Sequence, residues 1–214
     1  MTRYLVLISL WGVWCFLHSF LITPAVTGFV QKRFEKAYRY YRVYYNFIAL
    51  ISLIPVLIYS FSIKGMPVFR WEGPFRIVQG ILAVSALLLF IGGARSYDLA
   101  RFLGIRQVRE NSPCSLLTND CRLDTGGILG MVRHPWYAGG ILIVWTRNLD
   151  MAAILTSSVI SGYFLIGTFL EEKKLISEFG EKYIDYQQHV SMLFPFKWIR
   201  QRLRDEQDQG LKSK

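Results

Sequence analysis

The sequence predicts an all-α, polytopic membrane protein with about five transmembrane helices, a C-terminal helical hairpin and a cytoplasmic amphipathic helix. Of the 214 residues, 52% are hydrophobic and 15% are aromatic, and the mean hydropathy is +0.28. This composition is too apolar for an ordinary soluble domain. Several apolar runs approach the roughly 20 residues that cross a bilayer as a helix, and basic segments separate these runs.

Five apolar runs are the candidate spans, and they cover residues 4–22, 44–61, 75–94, 135–146 and 151–170. The fourth run would form a helix about 18 Å long at about 1.5 Å per residue, which is too short to cross the bilayer straight. A polar turn at 147–150 separates it from the fifth run. We therefore predict that these two runs form a helical hairpin.

The formal net charge of +10 is concentrated in alternate connecting segments. Residues 23–43, residues 95–134 and the region after 171 are rich in Lys and Arg, whereas 62–74 is weakly basic and 147–150 is nearly balanced. Because basic loops stay in the cytoplasm, we predict an outside N-terminus and a cytoplasmic C-terminus. The charge then favours contact with anionic membrane lipid over binding of nucleic acid.

Several other protein classes are not expected. Cys15, Cys114 and Cys121 are an odd number, and with His134 they do not make a zinc spacing, so we expect neither a disulfide framework nor a metal site. No strand–GxGxxG–helix unit indicates a dinucleotide-binding fold, and five spans without an internal repeat disfavour a transporter. We predict one domain over residues 1–198 and a flexible tail over 199–214.

The stretch from Arg133 to Gly139 combines polar side chains with the start of an apolar run. Pro135 suits the first position of a helix, and the residue before a proline avoids helical geometry, so a helix should begin at about 135. Arg133 and His134 then lie just ahead of a helix N-terminus, which favours an anion. The alternative is an interfacial anchor, in which Arg133 snorkels and Tyr137 joins the aromatic belt.

The second polar candidate is Glu172, which follows Glu171 at the end of the last span. On a helix over residues 171–187, Glu172 falls in the middle of an apolar and aromatic stripe, so its carboxylate needs a partner. That partner is Arg133, Arg147 or a bound cation. Glu171 falls on the charged face and is explained as a solvated charge, and Gly180 is a candidate helix end. The stripe consists of Glu172, Leu175, Ile176, Phe179, Tyr183 and Tyr186.

Together the two stretches predict a cytoplasm-facing pocket with aromatic walls. The helix N-terminus and Arg133 suit a carboxylate, and Glu172 suits a cation. S-adenosylmethionine carries a carboxylate, an ammonium and a sulfonium, and its adenine needs apolar walls. A sulfonium can also rest against aromatic faces.

These residues carry a family resemblance. The motifs Arg133-His134-Pro135-x-Tyr137-x-Gly139 and Glu171-Glu172-x-x-Leu175-x-x-x-Phe179-Gly180-x-x-Tyr183-x-x-Tyr186 resemble the isoprenylcysteine carboxyl methyltransferase-like family of integral-membrane methyltransferases. The wider superfamily includes phospholipid methyltransferases. Upstream, three further stretches look like bacterial relatives that include methanethiol S-methyltransferases: His18-Ser19, Tyr41-Arg42-x-x-Tyr45-Asn46 and Phe102-Leu103-Gly104-Ile105-Arg106-Gln107. The resemblance covers roughly residues 11–195.

The resemblance implies an S-adenosylmethionine site at the cytoplasmic end of the last helices. We expect Arg133, His134 and Glu172 to take part in catalysis and to bind the cofactor. One departure concerns Val190, which relatives follow with Pro; here Ser191 follows, which leaves open the path of the C-terminal lid. The remaining residues expected to bind the cofactor are Tyr137, Gly139, Glu171, Phe179, Tyr183 and Tyr186.

The methyl acceptor is expected to be a small thiol or a membrane-partitioned molecule. The alternatives are the carboxylate of a prenylated or other lipid, a phospholipid amine, or no catalysis at all in a protein that binds a lipid or a partner. A base role for His134 or Glu172 would be needed only for a thiol or an amine. For His18, the alternative to a functional role is helix packing.

Overall fold

The computed structural model describes residues 1–110 and 123–212, and within these ranges the chain is built almost entirely from α-helices. Cys114 and Cys121 lie outside the described residues. The α-helices are α1 (Thr2–Leu21), α2 (Pro24–Arg33), α3 (Glu35–Tyr38), α4 (Tyr41–Ser62), α5 (Phe75–Ser96), α6 (Leu99–Phe102), α7 (Ile105–Glu110), α8 (Pro135–Trp145), α9 (Met151–Phe179), α10 (Glu181–His189) and α11 (Phe196–Lys212).

Four of these helices, α1, α4, α5 and α9, are long and apolar enough to cross a membrane, with mean hydropathies of 1.8, 1.8, 2.2 and 1.7. The fifth predicted span is α8, which has 11 residues and is therefore only about 16 Å long. Large apolar side chains such as Ile77, Leu88 and Ile166 are exposed on these helices, as expected where a helix faces lipid. The all-α polytopic fold is confirmed, and the chain is an integral membrane protein.

Local sequence signals set the boundaries of the hairpin. Pro135 occupies the first turn of α8, so the predicted helix start is confirmed. At the start of α9, the Asp150 side chain accepts a hydrogen bond from the Ala153 N–H at 2.7 Å, an N-cap that satisfies a free donor. Strands β1 (Pro67–Phe69) and β2 (Leu149–Asp150) pair antiparallel and fasten this turn to the α4–α5 connection.

The chain after residue 170 differs from the single helix over 171–187 that periodicity predicts. Helix α9 continues without a break to Phe179, and Gly180 then adopts a positive φ of 56°, a conformation that glycine adopts readily. Helix α10 follows at once. The alternative that Gly180 ends the helix is therefore confirmed. Helix α11 contains most of the segment predicted to be a flexible tail, and the flexibility of that segment stays a prediction.

The helices pack in two groups that meet at α9. Leu7 and Trp11 of α1, Val56 of α4, Ile63 and Ala152 of α9 form a buried core on one side. On the other side α5 and α8 cross closely, because Gly93 of α5 leaves room for the Trp136 ring. Helices α8 and α9 also cross closely, because Gly140 of α8 leaves room for the Phe164 ring of α9. Small residues allow such close crossings in membranes, where the hydrophobic effect drives no association.

The close approach at Gly140 predicts a stability difference between two glycine substitutions. A Cβ at Gly140 would lie 2.5 Å from Phe164, whereas a Cβ at Gly162 of α9 meets nothing within 4 Å. We expect Gly140→Ala to destabilise the protein by about 1–3 kcal/mol through overpacking. Gly162→Ala should be neutral or stabilising, because alanine favours helix by about 1 kcal/mol. Thermal unfolding in detergent measures both, and equal midpoints would contradict the crossing described here.

Candidate functional site

The backbone around Arg133 is fastened to the segment that follows α10. The Arg133 N–H donates to the Ser191 carbonyl at 2.9 Å, and the His134 N–H donates to the Met192 carbonyl at 3.1 Å. Val132 and Ser191 form an isolated parallel β-bridge. The path after Val190 therefore runs beside the start of α8, which brings the two sequence motifs together.

Arg133 and Glu172 form a buried ion pair, with 8% and 6% of their surfaces exposed. Arg133 Nε and Nη2 lie 2.7 Å and 2.6 Å from Glu172 Oε1. Arg133 Nη1 also donates to the carbonyls of Gln187 and Val190, and Gln187 Nε2 donates to Glu172 Oε2 at 2.9 Å. Every polar atom of the pair is thus engaged, as burial of charge requires.

This geometry decides between the partners expected for Glu172. The burial predicted from the helical stripe is confirmed, and the partner is Arg133 rather than Arg147. Arg147 lies at the opposite end of α8 and stacks over the Phe61 ring at 6.0 Å. Because Arg133 already neutralises Glu172, this carboxylate needs no bound cation to remain buried.

His134 connects the ion pair to the second carboxylate. It is 3% exposed, with Nε2 3.3 Å from Glu172 Oε1 and Nδ1 3.6 Å from Glu171 Oε2. Burial by itself would lower the pKa of His134, but hydrogen bonds to Glu171 and Glu172 outweigh burial and raise that pKa above its ordinary value. His134 is therefore a cation held between two carboxylates over more of the neutral pH range than a free histidine.

The prediction that Glu171 is a solvated surface charge is wrong. Its side chain is only 25% exposed and faces His134, and it also interacts with the Tyr137 hydroxyl. The helical projection of residues 171–187 placed Glu171 on the charged face, but the start of α8 packs against that face of α9 and brings His134 to Glu171. The other charged residues of that face, Lys173, Lys174, Glu178, Glu181, Lys182 and Asp185, are exposed as predicted.

Tyr137 extends the cluster as a stack of rings. Its ring lies parallel to the His134 ring, with centroids 5.6 Å apart and an interplanar angle of 9°. On its other side it stacks against Phe164 of α9 at 5.5 Å. The ring contacts hold the Tyr137 hydroxyl near Glu171, so Tyr137 belongs to the same cluster as His134.

Beside the ion pair lies a small cleft of about 20 Å³, lined by six aromatic or apolar side chains and two charged ones. The Tyr183 hydroxyl is buried there and has no hydrogen-bond partner among the described residues. A buried polar atom without a partner is costly, and a ligand that supplies one is favoured. The cleft is lined by Tyr97, Leu123, Asp124, Leu129, Arg133, Leu175, Tyr183 and Tyr186.

The tyrosine side chains that line the cleft are uncharged. Burial raises the pKa of Tyr183 and of Tyr186, so both phenols stay neutral at physiological pH. The Tyr186 hydroxyl donates to the Leu129 carbonyl at 2.6 Å, which fastens α10 to the 3₁₀ turn Gly127–Gly130. Neutral rings and one free hydroxyl fit a flat aromatic group with polar edges, such as adenine.

Two predicted site residues lie away from the ion pair. Gly139 faces α5, where a Cβ would lie 3.2 Å from the Ala86 carbonyl and 3.3 Å from the Phe90 ring. The structure therefore gives Gly139 a packing role and does not bring it to the cleft. Phe179 packs against the buried core of Leu175, Tyr183, Tyr186 and Val190 and does not itself line the cleft.

Sequence reasoning missed three residues that the structure places in the cluster: Gln187, Tyr97 and Asp124. Gln187 bonds both members of the ion pair, and Tyr97 and Asp124 line the cleft. The position of Gln187 could have been predicted from the sequence, because residues four apart lie on the same face of a helix and Gln187 lies four residues after Tyr183. For Tyr97 and Asp124 no periodic pattern marked the position. Among the described residues, no group of three or more His, Cys, Asp or Glu is arranged to hold a metal ion.

The ion pair predicts a large stability cost for Glu172→Gln. Removing one partner of a buried pair leaves Arg133 charged and uncompensated, which costs about 3–5 kcal/mol. The exposed Glu178 of the same helix is the matched control, and Glu178→Gln should stay within about 0.5 kcal/mol of the unmodified protein. Thermal unfolding in detergent compares the two variants, and a mild Glu172→Gln phenotype would show that the pair does not hold the fold.

The raised pKa of His134 predicts a loss of stability with rising pH. Because the folded-state pKa exceeds the ordinary value of 6.5, the stabilisation is complete below that pH and disappears as the pH rises through the raised pKa. We expect the thermal midpoint to fall as the pH rises above about 6.5, and to fall less for His134→Gln. Parallel slopes for the two proteins would remove His134 as the titrating group.

Comparison with known proteins gives several relatives of this chain. A protein named Methanethiol S-methyltransferase from Crocosphaera subtropica is 28% identical in an alignment that covers 91% of this chain and 76% of the relative. Methanethiol S-methyltransferase 1 from Bradyrhizobium diazoefficiens is 39% identical in an alignment that covers 80% of this chain and 58% of the relative. Protein-S-isoprenylcysteine O-methyltransferase from Tribolium castaneum is 34% identical in an alignment that covers 71% of this chain and 52% of the relative.

The chain thus spans about half to three quarters of the length of these relatives. No protein-family model matches the chain, and no solved structure is significantly similar to it. The alignments nevertheless extend over most of the chain, and all of these relatives carry methyltransferase names. These similarities support the isoprenylcysteine carboxyl methyltransferase-like family of integral-membrane methyltransferases, in the branch of the bacterial methanethiol S-methyltransferases.

Proposed function

We propose that this membrane methyltransferase transfers a methyl group from S-adenosylmethionine to a small thiol. The proposal rests on one observation: the motif that begins at Arg133 and the motif that begins at Glu171 meet in one buried cluster. The unpartnered Tyr183 hydroxyl lies in the cleft beside this cluster. The thiol is favoured over other acceptors because relatives that align with most of this chain are named for methanethiol.

Different residues of the cluster and the cleft would contact different groups of the cofactor. Tyr97, Tyr183 and Tyr186 offer walls for adenine, and the Tyr183 hydroxyl offers a hydrogen bond to a polar edge. Glu171 is the better carboxylate for an ammonium or sulfonium, because Glu172 is already neutralised by Arg133. The N-terminus of α8 supplies positive potential for the cofactor carboxylate, whereas the charge of Arg133 is already paired with Glu172.

S-adenosylmethionine supplies an electrophilic methyl group, which a thiolate attacks in line with the departing thioether. Such a displacement requires alignment and exclusion of water more than covalent help from the protein. The buried ion pair gives that alignment, because it fixes α9, the start of α8 and the segment after α10 in one arrangement. The cleft of about 20 Å³ holds little more than one water, so binding of the cofactor must displace its walls.

We place the N-terminus outside and the C-terminus and the cluster at the cytoplasmic face of a bacterial inner membrane. The C-terminal part of α9 and the C-terminal end of α5 both lie beside the start of α8, because His134 contacts Glu171 and Trp136 contacts Tyr97. The segments at these helix ends are the strongly basic ones, and they would also meet anionic membrane lipid. S-adenosylmethionine would then reach the cluster from the cytoplasm.

A lipid-borne acceptor is the second candidate. The relative from Tribolium castaneum is named as an isoprenylcysteine O-methyltransferase, so a carboxylate carried on a lipid is the acceptor to test beside thiols. A carboxylate is already ionised and needs no proton acceptor, whereas a thiol must lose its proton. A non-catalytic protein that binds lipid would show no heat of binding with S-adenosylmethionine.

Tyr183→Phe tests the proposed cofactor site and separates binding from folding. The hydroxyl has no partner within the described chain, so its removal should leave thermal stability unchanged or raised. We expect binding of S-adenosylmethionine to weaken by about 3- to 10-fold, the effect of losing one hydrogen bond.

Isothermal titration calorimetry with S-adenosylmethionine and S-adenosylhomocysteine measures this change in the detergent-purified protein. Tyr59→Phe is the control, since the Tyr59 hydroxyl donates to the Arg3 carbonyl at the other end of the molecule. Unchanged affinity in Tyr183→Phe would remove the cleft from the cofactor site. No binding by the folded, unmodified protein would overturn the proposed function itself.

A further inference from the structure

A second polar network lies within the helices α1, α4 and α9. His18 Nδ1 is 2.7 Å from the Tyr163 hydroxyl, and His18 Nε2 is 2.7 Å from the Tyr45 hydroxyl. Ser19 Oγ is 3.0 Å from the same Tyr163 hydroxyl. Tyr45 is buried, whereas His18, Ser19 and Tyr163 are half-buried.

The chemistry of the imidazole makes this network a proton acceptor. A neutral histidine has one ring nitrogen that donates and one that accepts, so with tyrosines on both nitrogens it must accept a hydrogen bond from one of them. That tyrosine can pass its proton to the ring when another group supplies a proton to its oxygen. Polar groups within a membrane are costly and mark functional positions, and packing alone does not require three of them on three helices.

The network is connected to the cofactor cluster through α9. Tyr163 lies eight residues before Glu171 on this helix, about 12 Å along the axis. Its neighbour Phe164 stacks against Tyr137, which in turn stacks against His134. The Tyr137 hydroxyl lies within electrostatic reach of both Glu171 and Tyr163. Only ring contacts therefore separate the two polar groups.

The α4 side of the network is also fastened to the cofactor cluster. Arg42 Nε and Asn46 Nδ2 both donate to the Phe102 carbonyl at 3.1 Å. The Phe102 ring packs edge-on against Trp136 at 5.1 Å, and Trp136 is in the first turn of α8. Tyr45 lies between Arg42 and Asn46 on the same helix turn, so its position relative to α8 is fixed by these contacts.

We propose that His18, acting through the Tyr163 hydroxyl, accepts the proton of the thiol acceptor. The inference rests on the proposed thiol methylation. The thiol S–H donates its proton to the Tyr163 oxygen as the Tyr163 proton moves to His18 Nδ1, which leaves a thiolate and an imidazolium that donates to Tyr45. The thiolate sulfur then bonds to the methyl carbon as the carbon–sulfonium bond breaks, and the products are a methyl thioether, S-adenosylhomocysteine and the proton on His18.

The test compares two acceptors of different acidity. An alkanethiol is almost wholly protonated at neutral pH, whereas thiophenol is largely ionised and needs no proton acceptor. Glutamine at position 18 keeps hydrogen bonds to tyrosine but does not take up a proton. For His18→Gln and Tyr163→Phe we expect kcat/KM with ethanethiol to fall by about 10²- to 10⁴-fold, the usual contribution of general base catalysis. With thiophenol it should fall by less than about tenfold.

Two controls make the result decisive. Calorimetric binding of S-adenosylmethionine should be unchanged in both variants, which shows that the site remains folded. Tyr59→Phe, on the same helix as Tyr45, should keep both activities. Equal losses with ethanethiol and thiophenol would assign His18 a structural role and overturn this inference alone. Failure of the unmodified protein to methylate either thiol, despite binding S-adenosylmethionine, would overturn the proposed thiol acceptor and the inference with it.

Discussion

The ion pair between Arg133 and Glu172 joins three parts of the chain that are distant in sequence. Its arginine precedes α8, its carboxylate is on α9, and the same guanidinium is bound by carbonyls at the end of α10. A buried pair with all its hydrogen bonds made has one favourable arrangement, because any displacement leaves a charge without a partner. The position of the cleft, of His134 and of the aromatic stack follows from this arrangement.

The sequence was informative wherever one element decides the outcome alone. Pro135 marked the start of α8, since proline constrains its own backbone and that of the residue before it. The burial of Glu172 followed from helical periodicity, because every neighbour in its stripe is apolar or aromatic. The long apolar runs predicted the spans, because a membrane leaves the backbone few alternatives to a helix.

The site features that could not be predicted from the sequence depend on contacts between helices. Glu171 was assigned to solvent because a helical wheel contains no information on α8, which brings His134 to that face. Gly139 shares a motif with the cluster, yet it serves the crossing with α5. Gln187 and Tyr97 reach the cluster only through the turn at Gly180 and the end of α5, and no local pattern fixes the direction of either segment.

Tyr163 and Glu171 are side chains of one unbroken helix, α9. Because the helix holds both residues, it limits how far the distance between the two polar groups can change during evolution. A straight helix keeps the spacing of its residues constant at about 1.5 Å each, so the separation between the two polar groups changes little while α9 remains intact. Space for a bulkier acceptor would have to come from smaller side chains on α1 and α4, because Trp14 and Tyr45 contact His18 on the other side of the network. Acceptor preference among relatives should therefore vary with substitutions at positions such as Trp14 and Tyr45, while α9 keeps its length and register.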